Sequence, residues 1–463
     1  MSENFAELLD RSARAAPDRP ALVWEGGALT RAELELRAGG AARALRERGV
    51  RAGDRVALSL PNGWPFAAAL WGALKLGATV TPLNPRLTGE ERGRILGDLR
   101  PVTVIEDSVD ARAPWPSAEA SAPALILYTS GSTGQPKGVV LSHSALVFAN
   151  RSWIRPVMDL TAADVVLAAL PLSHSFGLNG ALLAPLLAGA AVALLDHVTP
   201  EAALAAIARH RVSVFPGVAT MFRRILDAPA FAAADLGSLR AAVSGAAPCP
   251  WELAREWRER TGVRIIRGYG STELFRPISH LAGDPREEAE AMGRPVPGVE
   301  IAVVDDAGAP VPPGGVGELR IRTPAAMEGY LHRPEETREV LVDGWFKTGD
   351  LVILSPEGYV SVVGRKRELI LRGGYSVVPG EVEAALLAHP AVAEAAVVGE
   401  PHPELGEEVA AFVTLRPGAS SGPEDLIAHC RARLAAFKCP RRVRIVAELP
   451  RSATGKILKS RLS

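Results

Sequence analysis

Residues 128–138 read YTSGSTGQPKG, a loop of glycines, small hydroxyls and one lysine between two apolar runs. Few folds accommodate such a stretch. Gly131, Gly134 and Gly138 let the backbone turn and bring its N–H groups close to an anion, while Thr129, Ser130, Ser132 and Thr133 add donors and Lys137 adds charge. The flanks Ala124–Tyr128 and Gly138–His143 read as buried strands, so the element is strand–loop–strand. It is not the GxxxxGK[ST] loop that joins a strand to a helix, because Pro136 precedes the lysine and Gly138 follows it. Such a loop suits a polyphosphate; the competing reading is a plain surface turn.

A strand–helix–strand rhythm surrounds it: Arg55–Pro61, Pro65–Gly77 and Ala78–Asn84 predict one βαβ unit. Val165–Leu195 predicts a strand, a loop, a buried helix and a second strand, since Pro171, His174, Asn179 and Pro185 interrupt it too often for a membrane span. A helix over 200–210, a strand over 212–216 and a helix over 219–226 follow. From about Val299 the texture turns to short strands, with a hairpin expected at Asp306–Gly308. The last hundred residues read as helix 379–388, strands 392–398 and 408–415, helix 423–436 and strand 442–446, enough for a small α+β domain.

With 463 residues, 48% hydrophobic and 22% charged, the chain has room for more than one domain with its own core. Its 52 basic residues equal its 52 acidic ones, so no net field argues for nucleic acid or an anionic membrane. Cys249, Cys430 and Cys439 are too few and scattered for a disulfide framework or a zinc site, and the start lacks an apolar leader. A cytoplasmic setting is expected, and a homodimer is allowed. Arginine outnumbers lysine 45 to 7. Five of the seven, Lys137, Lys347, Lys366, Lys456 and Lys459, fall in or beside recurrent motifs, where a compact ammonium is not replaceable by guanidinium.

Those motifs come in order: LPLSHSFG (Leu170–Gly177), SGAAP (Ser244–Pro248), GYGSTE (Gly268–Glu273), GWFKTGDL (Gly344–Leu351), GRKRELILRGGYSVVPGEVE (Gly364–Glu383) and PRSATGKILK (Pro450–Lys459). With the phosphate loop, the series resembles the adenylate-forming superfamily of acyl-CoA synthetases, firefly luciferase and peptide-synthetase adenylation domains, and most of all the fatty-type acyl-CoA synthetases. The resemblance implies an α/β fold: a large N-terminal domain of packed α/β subdomains plus a β-rich subdomain (1–364), and a small mobile α+β C-terminal domain (365–463). The hinge falls near Arg367, where the family commonly has Asp or Lys. No carrier domain is expected after the last motif.

The same resemblance assigns roles. Thr129 to Gly134 and Lys137 would hold the β- and γ-phosphates of ATP, and Gly245, Ala246 and Ala247 the adenine edge. Tyr269 would offer adenine a flat face beside Gly270, Thr272 a hydroxyl to the α-phosphate, and Glu273 an oxygen to Mg²⁺. Asp350 and Arg365 would bind the ribose, or either would instead form a structural ion pair. Lys456 would bridge the carboxylate and the α-phosphate in the first half-reaction only. Gly373 and Gly374 would line a channel for the CoA thiol, and His174 would wall the acyl and thiol sites or serve as a core histidine.

The expected activity is an acid–thiol ligase: carboxylic acid, ATP and CoA give acyl-CoA, AMP and pyrophosphate through an acyl-adenylate. Leu274 and Phe275 favour an aliphatic, fatty-type acid. Arg276 either holds the second carboxylate of a dicarboxylic acid or faces outward. Two rivals remain. One is a standalone adenylating ligase serving a carrier protein; its amino-acid form lacks the expected acidic residue in SHSFG. The other is a catalytically dead binding protein, opposed by the retained Lys137, Glu273, Asp350, Arg365 and Lys456.

Overall fold

The computed structural model describes residues 4–120, 122–130, 136–284, 288–373, 375–451 and 457–462, apart from the side chains of Ser130, Ser376 and Ser460. The chain forms two compact units, one of residues 1–300 and 321–346, the other of residues 301–320 and 347–463.

The first unit is built on two largely parallel sheets. In the six-stranded sheet the order is Gly329–Tyr330, Pro136–Leu141, Leu125–Ser130, Thr79–Pro82, Arg55–Leu58, Thr103–Ile105. Arg55–Leu58 and Thr79–Pro82 are parallel neighbours joined by the helix Trp64–Lys75, the βαβ unit expected from their apolar runs. Leu125–Ser130 and Pro136–Leu141 are antiparallel, with Thr129 opposite Lys137. The seven-stranded sheet runs Ile265–Ile266, Ala241–Ser244, Val214–Gly217, Val165–Ala168, Ala191–Leu194, Pro20–Trp24, Gly27–Thr30. Its pairings are parallel except that of the last two strands.

Local chemistry sets the helix ends. Thr30 and Glu33 close a capping box on Arg31–Glu47, as Thr88 and Glu91 do on Gly89–Leu99. Thr199 caps Pro200–His210, whose first residue is a proline that has no N–H to leave unpaired. Beside the larger sheet, Phe215, Phe222 and Trp257 are fully buried, with Phe222 edge-on to both partners at 5.0 and 5.2 Å between ring centroids. Burying a side chain of that size stabilises the fold by about 2–3 kcal/mol. Among the described residues no helix is long and apolar enough to cross a membrane.

The second unit also rests on two sheets. Glu300–Val304, Val316–Arg322, Trp345–Leu354 and Val360–Arg365 lie side by side, most of their length in this unit. Asp305 accepts from the N–H groups of Ala307 and Ala309, which tightens the expected turn. The other sheet runs Tyr375–Val377, Ile370–Arg372, Gly406–Leu415, Val392–His402, with Arg442–Ile445 parallel to Gly406–Leu415. The helices Pro379–Leu387 and Pro423–Arg431 bury Val382, Leu386, Leu426, Ile427 and Cys430 in its core. The second helix stops five residues short of the expected Ala436, since a turn through Arg433 and Leu434 takes over.

Candidate active site

Lys137 is the second residue of the second strand of the phosphate-loop hairpin, Pro136–Leu141. Its ammonium pairs with the Glu336 carboxylate and lies 5.3 Å from the centre of the Tyr330 ring. The lysine makes Glu336 ionise more readily than a free carboxyl, helped by Arg333 at 3.0 Å. Gly131, Ser132, Thr133, Gly134 and the Ser130 side chain lie outside the described residues, so the loop tip has no geometry to report.

GYGSTE forms a tight hairpin. Gly268–Ser271 pairs antiparallel with Phe275–Ser279, Tyr269 opposite Ile278 and Ser271 opposite Phe275. Thr272, Glu273 and Leu274 make the tip. The turn is tight enough that a Cβ on Gly270 would lie 1.9 Å from the Phe275 carbonyl oxygen. Phe275 takes a left-handed φ of 57°, which costs an aromatic residue about 1–2 kcal/mol. Such strain at a loop that presents polar groups is characteristic of functional sites.

The short segment Met327–Leu331 joins these two elements. Glu328 N–H donates to Val140 O and Leu331 N–H to Gly138 O, both at 2.8 Å, which adds Gly329–Tyr330 to the edge of the phosphate-loop sheet. Met327 N–H donates to Glu273 O at 2.8 Å and binds the hairpin tip. Tyr330 then donates its hydroxyl to Glu273 Oε1 at 3.0 Å. Lys137 and Glu273, singled out in the sequence, thus meet the same tyrosine, the ammonium near its ring and the carboxylate at its hydroxyl. Tyr330 and Glu336 were not among the expected site residues, although Gly329–Thr337 (GYLHRPEET) carries the glycine, proline and charged residues of a functional loop.

Arg276 does not face outward, as one reading had it; it is buried beneath the site. Its Nε donates to Ser279 Oγ at 2.9 Å, Nη1 to Ser244 O at 2.8 Å and Nη2 to Ile266 O at 3.1 Å, with Trp153 5.1 Å away across the guanidinium. Burial without a carboxylate pulls its pKa down to about 9. The arginine ties the end of the strand carrying SGAAP to the start of GYGSTE. Gly268 is required here, since a Cβ would meet the guanidinium at 2.4 Å.

Beyond Ser244, Gly245 is buried and Ala246 holds a left-handed φ of 64°. Phe176 backs this turn, 3.1 Å from where a Gly245 Cβ would lie, and stacks on Trp153 at 5.6 Å. His174, two residues earlier, accepts from Phe176 N–H at Nδ1 (3.3 Å), which leaves the proton on Nε2. Burial brings its imidazole down to about 4, so it is neutral near pH 7.

In the second unit Asp350 and Arg365 occupy opposed positions on adjacent strands, and Arg365 Nε meets Asp350 Oδ1 at 2.7 Å. They make an ion pair with each other. Arg367 is exposed and has no side-chain partner among the described residues. Gly373 has a left-handed φ of 56° and donates its N–H to Leu405 O at 2.8 Å, a conformation a side chain would strain. Gly374 and Lys456 lie outside the described residues. The three cysteines are buried free thiols.

Within the first unit, the phosphate-loop hairpin and the strained GYGSTE hairpin, joined through Met327–Leu331, suit a nucleotide-activating enzyme, and comparison with known proteins agrees. Residues 9–114 and 106–331 match the AMP-binding enzyme family, and 381–456 its C-terminal domain. The chain is 36% identical to a feruloyl-CoA synthase of an Amycolatopsis species, over 97% of this chain and 96% of that one. It is 30% identical to a long-chain-fatty-acid–CoA ligase of Bacillus subtilis strain 168, over 100% and 94%. ATP-bound MatB from Rhodopseudomonas palustris superposes with a TM-score of 0.92 at 31% identity, covering 99% of this chain and 98% of that one. The chain belongs to the AMP-binding enzymes, the adenylate-forming superfamily. Within it, the protein is an ATP-dependent acyl-CoA synthetase.

Proposed function

We propose that the enzyme activates an acid with an apolar body, first as the acyl-adenylate and then as the CoA thioester. The observation that carries the polyphosphate half of this reading is the Met327–Leu331 bridge. It brings one tyrosine, Tyr330, to both the Lys137 ammonium near its ring and the Glu273 carboxylate at its hydroxyl, which supports a reading of the first as a cation for phosphate and the second as an oxygen for its metal.

Glu273 suits magnesium that arrives with its nucleotide. Mg²⁺ takes one or two carboxylates and fills the remaining positions with phosphate oxygens and water. Tyr330 occupies Oε1 of Glu273, and among the described residues no side chain is bonded to Oε2. When bound, the ion would screen the triphosphate charge that otherwise repels the incoming carboxylate.

Domain rotation about Arg367 remains part of the proposal, and three ion pairs near it would survive the turn. Arg365 meets Asp350 and Lys366 meets Asp306 at 2.7 Å, all before the hinge; Glu368 meets Lys459 at 3.4 Å, both after it. Turning at Arg367 would break none of them. Lys456 and the Gly373–Gly374 pair would then serve adenylation and thiol entry in turn. We place the enzyme in the cytoplasm.

For the acid, the buried Leu274 and Phe275 and the Trp153–Phe176 stack behind Gly245 favour an apolar body, aliphatic or aryl. The dicarboxylic alternative loses its support because Arg276 spends a donor from each nitrogen on Ser279, Ser244 and Ile266. The test is AMP release with ATP, Mg²⁺ and CoA across fatty acids of graded length, benzoic and hydroxycinnamic acids, and dicarboxylates. CoA-dependent turnover led by an apolar acid supports the reading; turnover confined to dicarboxylates, or indifferent to CoA, overturns it.

A further inference from the structure

The Lys137–Glu336 pair poses a problem for a phosphate site. A carboxylate on the lysine that is to grip a polyphosphate both occupies the cation and repels the incoming anion. Glu336 lies on the exposed helix Pro334–Val340, and the pair is only partly buried, with side chains 18% and 33% exposed. The carboxylate has a second cation: Oε1 accepts from Arg333 while Oε2 meets Lys137. Glu336 can therefore release Lys137 without becoming an uncompensated charge. Thr337, next along the helix, accepts from Tyr330 N–H at 2.9 Å, so the acid is fixed to the segment that also reaches Glu273.

We propose that Glu336 is the exchange partner of Lys137: ATP displaces it on binding, and it recaptures the lysine as pyrophosphate departs, so that product leaves faster. This rests on the acyl-CoA synthetase reading and names the residue that sets pyrophosphate release. Glu336 touches no reacting atom; it acts through Lys137 as a positioning residue. The opposite arrangement, in which Glu336 merely steadies Lys137 for phosphate, predicts effects of opposite sign.

The experiment measures product inhibition by magnesium pyrophosphate, the KM for ATP and thermal stability, using the full-length enzyme and its best acid. In Glu336→Gln, about one-third exposed and close in shape, pyrophosphate should inhibit about two- to fivefold more tightly, the range for a partly exposed ion pair. KM for ATP should fall in the same direction, Tm should scarcely move, and the difference should shrink at high salt. Arg333→Gln removes the competing cation and should do the reverse, weakening inhibition. If Glu336→Gln leaves inhibition unchanged or weaker, or raises the KM for ATP, the exchange role is overturned. A wild-type enzyme that makes no acyl-CoA with any acid would instead defeat the functional reading itself.

Discussion

Gly270→Ala tests whether the GYGSTE hairpin is as closed as its geometry shows. An added Cβ would lie 1.9 Å from the Phe275 carbonyl oxygen, where real Cβ atoms keep beyond 3.0 Å, so one strand must retreat by about an ångström. Neither atom belongs to a flexible side chain, and the overpacking should cost about 1–3 kcal/mol, a few degrees of Tm. The kinetic effect should be larger, because the same hairpin carries Thr272 and Glu273. A displacement of that size in a positioned group costs about 100-fold. ATP–pyrophosphate exchange with a saturating acid isolates the adenylation step, and circular dichroism confirms folding. Gly97→Ala is the control: nothing lies within 4 Å of its Cβ, and as a helix-interior site it should gain about 0.5–1 kcal/mol without altering exchange. If Gly270→Ala keeps the wild-type Tm and exchanges within about threefold of wild type, misplacement of the tip cannot be what the glycine prevents.

Glu273→Gln keeps the Tyr330 hydrogen bond but removes a charged oxygen, so turnover should fall about 100-fold and the magnesium requirement should rise; a normal rate of acyl-AMP formation would rule out a metal role. Lys456→Ala should abolish adenylate formation yet spare thioester formation from supplied acyl-AMP, and Gly374→Leu should do the reverse; equal loss of both steps in both folded variants would exclude the rotating mechanism. The buried His143 and His280 have pKa values lowered to about 4 by burial. Their unfolded forms bind protons from about pH 6.5 downward while the folded forms do not, so stability should fall on acidification from 6.5 toward 4. Each contributes up to about 1.4 kcal/mol per pH unit, and a flat Tm profile across that range would contradict their neutral burial.

What could be read from the sequence follows from how local the determining physics is. The phosphate-loop hairpin was legible because two apolar runs flank a segment that only a turn can use, and Leu125–Ser130 and Pro136–Leu141 form as those runs required. Helix Pro200–His210 was legible to the residue, with threonine and proline at one end and basic residues at the other. Arg276 was misread for a definite reason. Alternation along a strand predicts one face out, but all five residues of Phe275–Ser279 are buried, so a strand covered on both faces hides a charge that alternation would expose. The two lysines outside the motifs show the same limit. Lys75 lies buried against Asp10 at 2.5 Å, and Lys438 pairs with Glu381. Both form ion pairs between segments far apart in the chain, which no local pattern encodes. Glu336 belongs to this group as well. On its own short helix it is an ordinary exposed acid, and its role emerges only when Gly329–Tyr330 joins the sheet edge beside Lys137. The chemistry of single motifs was therefore open to sequence reading. The electrostatics that govern how tightly the site holds and releases its phosphates had to wait for the fold.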